Sequence, residues 1–125
     1  MPDRRTDRDV RWLPRALLVL LLALLCGCMP SVSRGEAEDL LAVRERLFAH
    51  PEGDIPASAW PDAVARFKPE RVHRDHRGVY LYTYQFFVEQ QGVFLLDPAS
   101  DFIPSSGDPH YEVVVTDVYL YVSRG

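Results

Sequence analysis

His73, Asp75, His76 and, further along, His110 are the first residues in this chain whose types could do chemistry, since imidazole and carboxylate are ordinary zinc ligands. Their spacing works against a shared ion. His73 and His76 would face opposite sides of an extended strand, and His76 falls at a turn, so no metal site is expected. Asp97, Asp101 and Asp108 line a proline-rich stretch but lack the dense alternating ligand order and central glycine of a calcium loop. Asp97-Pro98 and Asp108-Pro109 read as turn formers instead. The serines at 58, 100, 105, 106 and 123 sit outside any nucleophile elbow, and a phosphate-binding glycine loop is missing from the sequence. No cofactor is expected, and catalysis is the least favoured function class. A small hydrolase with paired carboxylates survives only because such a pair leaves no mark in spacing.

The remaining reactive residues are two cysteines, and they sit in an informative place. Arginines 4, 5, 8, 11 and 15 precede an uninterrupted apolar run from Ala16 to Leu25, which is the layout of an export signal. Ten apolar residues reach about 15 Å as a helix, half of a hydrocarbon core of about 30 Å, so the run is too short to span a membrane. Leu25, Cys26, Gly27 and Cys28 follow. A large apolar residue three positions before a cysteine and a small one immediately before it resembles the lipobox of bacterial lipoproteins, a class that prefers a small residue where this chain has Cys26. The resemblance covers residues 1–28 only. It implies removal of residues 1–27, a diacylglyceryl group on the Cys28 sulfur and an acylated Cys28 amine, with membrane contact through that lipid. Met29, in place of an aspartate, further implies the periplasmic face of the outer membrane in a Gram-negative cell.

Cleavage there would leave 98 of the 125 residues, enough for one small domain. Five arginines and three aspartates would leave with the signal, so fourteen basic and eighteen acidic residues become nine and fifteen, and the formal charge moves from −4 to −6. That balance argues against nucleic acid as a partner. With Cys26 removed and Cys28 carrying lipid, no disulfide would staple the domain, and its stability must come from a hydrophobic core.

The elements that must position any site follow from periodicity. Residues 28–35 read as a lipidated cysteine and short tether, and residues 36–125 as a single α+β domain. Ala37, Leu40, Leu41, Val43, Leu47 and Phe48 approximate helical spacing from Glu36 to Ala49, ended by His50-Pro51. Glu52 to Pro56 reads as a loop, and Ser58 to Phe67 as a second helix. The period then falls to about two, which predicts strands at Glu70–Asp75, Val79–Glu89, Val93–Leu96 and Tyr111–Val122. Turns are expected at His76-Arg77-Gly78 and Gln90-Gln91-Gly92, each glycine supplying a left-handed conformation. The expected architecture is two layers, with two N-terminal helices on a roughly four-stranded antiparallel sheet.

Strict alternation along the second strand would place Tyr80, Tyr82, Tyr84, Phe86 and Val88 on one face. Two short helices cover one side of such a sheet, leaving the tyrosine side to loops, another subunit or a ligand. The preferred expectation is a non-catalytic envelope lipoprotein that recognises another envelope protein or cell-wall glycan through Tyr80, Tyr82, Tyr84 and Phe86. The alternative is an inhibitor or immunity protein against a wall-degrading enzyme or toxin. Such a protein would present the loop bearing Asp97, Asp101 and Asp108.

Overall fold

A computed structural model describes residues 31–125, so Cys28 and the residues before it lie outside the described residues. The fold is α+β, with a six-stranded open sheet in which every neighbouring pair runs antiparallel. Helix α1 (Arg34–Ala42) starts in a capping box: Ser33 Oγ accepts from the Glu36 backbone N–H at 3.2 Å, and Glu36 Oε1 accepts from the Ser33 N–H at 3.1 Å. Val43 leaves helical angles (φ −104°, ψ 6°) and separates α1 from α2 (Arg44–Phe48). The predicted single helix is thus two, broken at a β-branched residue with low helix propensity.

The predicted helix over Ser58–Phe67 divides as well, for a reason written in the sequence. Trp60 precedes Pro61 and is extended (ψ 127°), so a 3₁₀ turn (Ala57–Ala59) and a short helix α3 (Asp62–Ala65) flank it. The Trp60 indole N–H instead donates to the Ile55 carbonyl at 2.9 Å.

Six strands replace the predicted four. They are β1 (Gly53–Asp54), β2 (Arg71–Arg74), β3 (Gly78–Phe86), β4 (Glu89–Leu96), β5 (His110–Val115) and β6 (Val118–Ser123), in the order β1-β2-β3-β4-β6-β5. One added strand, β1, lies in the predicted loop and precedes α3. The other comes from the predicted last strand, which is a hairpin turning at Thr116-Asp117 with Asp117 at φ 70°. Asp117 earns that position twice: its side chain accepts from Arg44 at 3.1 Å, and its carbonyl accepts from the Leu96 N–H at 2.9 Å. The β3–β4 turn is Phe87-Val88 rather than residues 90–92. Gly92 lies within β4, where its role is close approach rather than a left-handed turn.

The core has two parts. On one face Val72, Val79, Leu81, Val93, Leu95 and Val118 pack under Ala37, Leu40, Leu47, Ile55 and Val64 of the helical layer. On the other, Tyr80, Tyr82, Phe94, Tyr111 and Tyr121 form an aromatic cluster with Phe102 packed against it.

Candidate functional site

Register decides which predicted site residues share a face. Tyr82 pairs with Gly92, Gly92 with Tyr121 and Tyr121 with Tyr111, giving one row across β3, β4, β6 and β5. Tyr80, Phe94 and Tyr119 form the next row. Missing side-chain bulk at Gly92 is compensated by its neighbours, since the Tyr82 and Tyr121 rings meet edge-on at 6.0 Å. Phe102, from the loop of residues 97–109, stands edge-on to Phe94 and Tyr111 at 5.9 and 5.4 Å, and the Arg77 guanidinium lies 4.9 Å from the Phe102 ring centre. Within this cluster Tyr80 and Tyr82 are 4% and 8% exposed. Their rings belong to a second core and do not present the flat surface expected of them.

Burial has a measurable consequence. It pushes the hydroxyls of Tyr80, Tyr82, Tyr111 and Tyr121 above the ordinary tyrosine range, Tyr82 to about 12. Because the folded values are raised, the stability they represent is complete below pH 10 and is lost as pH climbs through the folded values. Spectrophotometric titration is therefore expected to show these four tyrosines ionising together with loss of near-ultraviolet circular dichroism. Their free ionisation near pH 10 in a still-folded protein would refute the second core.

A bulge then reverses the pattern. After Tyr82↔Gly92 the next pair is Tyr84↔Gln91, which leaves Thr83 extra on β3. Gln91 and Gly92 are consecutive in an extended strand and point to opposite faces, so Tyr84 lies opposite Tyr82. Phe86, paired with Glu89, follows Tyr84, and their rings lie 6.5 Å apart. Strict alternation through residue 83 is thus corrected: the four predicted residues split into Tyr80 with Tyr82 and Tyr84 with Phe86. The second pair joins the side that bears the helices, at the sheet end the helices do not cover. Phe87 and Val88 complete this apolar tip, with the Phe86 and Phe87 rings 4.5 Å apart.

Beside the tip, the row Tyr84, Gln91, Val122 and His110 continues across the sheet, and Leu120 pairs with both Val93 and Glu112. These residues open a groove of about 540 Å³ lined by Gln91, Gly107, Asp108, His110, Glu112, Leu120, Val122 and Arg124. Leu120 and Val122 supply an apolar strip; an amide, an imidazole, a guanidinium and two carboxylates surround it. Such a lining suits an extended segment with alternating apolar and polar groups.

The loop carboxylates do not converge. Asp97 Oδ1 accepts from the Ala99 N–H at 2.9 Å, Asp101 is exposed, and Asp108 Oδ1 accepts from the Arg124 N–H at 2.9 Å at the rim of the groove. His73 also has a partner other than those its sequence neighbours suggested. Its Nδ1 lies 2.8 Å from Asp54 Oδ1, which also accepts from Arg71 Nε at 2.7 Å. These bonds, His73 first, hold the Asp54 carboxyl below its usual range. Among the described residues no group of three or more metal-ligating side chains assembles.

Sequence reasoning missed the groove because it placed a turn at 90–92 and one strand over 111–122. Thr116-Asp117 was the signal that could have divided that strand. The chain matches no known family, no curated protein and no solved structure.

Proposed function

We propose that this chain is a lipid-anchored protein of the bacterial cell envelope that binds another envelope protein, without catalysis, in the groove beside the β3–β4 tip. The anchor is the lipid on Cys28, and the favoured location is the periplasmic face of the outer membrane. The observation that carries the binding reading is the groove itself. The helix-side core takes in Val93 and Leu95 of β4, Val118 of β6 and, at its margin, Val114 and Val115 of β5, but not Leu120 or Val122, which line a concavity on the uncovered end of the same sheet face. An extended chain segment fits its mixed lining better than a glycan, which needs open ring faces that Tyr80 and Tyr82 do not offer. The inhibitor reading asks for free carboxylates on the loop of residues 97–109. Two of the three instead hold backbone N–H groups there.

The experiment is photocrosslinking from the groove floor. A photoreactive residue at Gln91, in the lipidated protein in its own envelope, is expected to give a discrete protein adduct. An adduct from Asp101 and none from Gln91 would overturn the groove reading in favour of the loop.

A further inference from the structure

We infer that the β3–β4 tip is a second membrane contact: Phe86, Phe87 and Val88 enter the acyl boundary of the bilayer that holds Cys28, with Tyr84 at the headgroup level. The inference rests on the lipid-anchor reading above. Phe86, Phe87 and Val88 are 56%, 89% and 66% exposed, and no charge interrupts residues 84–88. Among the described residues the other large exposed apolar side chains, Ile103 and Val113, lie far from the tip in sequence and have no exposed apolar residue as a chain neighbour, which is ordinary for a protein surface. The tip is a contiguous group on a convex two-residue turn. A protein partner would need a matching concavity, whereas an acyl boundary conforms to the tip's shape. Phe87 is held at φ 53°, a conformation that glycine or asparagine adopts at little cost and a bulky residue rarely does. Tyr84, one pair of residues back from the tip, is an amphipathic ring suited to the membrane–water interface.

Distance favours the bilayer as occupant. Val32 already packs against the helical core, so only residues 29–31 separate the domain from Cys28, and four residue steps span at most about 14 Å. A domain of 95 residues has a radius of gyration of about 12 Å. A lipid on Cys28 therefore keeps the domain against the membrane surface. So short a tether keeps every surface of the domain within about a domain diameter of the bilayer, so the tip needs only a reorientation of the domain to reach it. Two contacts would also fix the domain's orientation and set the groove beside the bilayer.

The test uses the mature lipidated protein in vesicles of phosphatidylethanolamine and phosphatidylcholine, with a nitroxide on Phe87→Cys. That thiol is the sole free one if Cys26 leaves with the signal and Cys28 carries lipid. The label is expected to gain accessibility to oxygen and lose accessibility to a water-soluble nickel chelate, relative to the same label on Ile103→Cys. Val88→Cys is expected to behave like Phe87→Cys. If the protein floats with the vesicles while both tip labels stay as wet as the Ile103 label, the tip is no anchor although the lipid is. Shielding that appears only after an envelope protein extract is added would make the tip a protein contact and overturn the inference. Failure to float with the vesicles would defeat the lipid-anchor reading and this inference together.

Discussion

Phe94→Ala is expected to cost about 3–5 kcal/mol in urea denaturation, which is a large part of the roughly 5–15 kcal/mol that holds a domain of this kind together. Phe94 is fully buried at the centre of the aromatic face. Its ring lies 4.6 Å from Tyr80, 5.2 Å from Tyr111, 5.9 Å from Phe102 and 6.2 Å from Tyr119. Truncation removes the platform on which all four rings rest, and the surrounding strands cannot collapse into the space without losing register. Loss of near-ultraviolet circular dichroism and rapid hydrogen exchange through residues 97–109 are expected together, because Phe102 closes the loop over the same ring. A cost below about 1 kcal/mol would mean that the aromatic face is loosely filled surface.

Gly92→Ala is the second large effect. A β-carbon at this position would lie 1.8 Å from the Leu81 carbonyl oxygen, 2.8 Å from the Leu81 carbonyl carbon and 3.1 Å from Tyr82 Cα. Every one of those atoms is backbone, so no side chain can swing aside. The β3 bulge must shift or the β3–β4 pairing must open, at a cost of about 1–3 kcal/mol or more. Gly107→Ala is the matched control, with no atom within 4 Å of its would-be β-carbon and an expected effect within about 0.5 kcal/mol. Equal stability of the two variants would contradict the close strand approach at Gly92.

The α+β class and the antiparallel sheet were legible because the change in hydrophobic period after Pro69 is a physical consequence of pleated strands. The boundaries were less so. Trp60-Pro61 carried its own warning, since the residue before a proline resists helical angles, and Ser58–Phe67 split there. Val43 carried none. The β3–β4 turn was hidden because Phe87-Val88 has the composition of a strand, while Gly92, whose composition suggests a turn, is needed for close packing. The candidate site suffered most, because alternation transmits one error to every residue beyond it. A single extra residue at Thr83 moves Tyr84 and Phe86 to the other face. A bulge is set by the partner strand, and no local pattern in β3 announces it. Burial of Tyr80 and Tyr82 depended on rings from other strands, Phe94 of β4 and Tyr121 of β6, which periodicity within β3 cannot place.

The separation of Tyr82 from Tyr84 carries the functional account, since it turns one apparent recognition face into a sealed core and an open groove. Photocrosslinking from two residues of adjacent strands tests it most directly, in the lipidated protein within its own envelope. A photoreactive phenylalanine analogue at Tyr82 keeps the buried ring, and a photoreactive residue at Gln91 reports on the groove. The account predicts a discrete protein adduct from Gln91, its loss when Leu120→Arg fills the apolar strip, and none from Tyr82. An adduct from Tyr82 with none from Gln91 would contradict it.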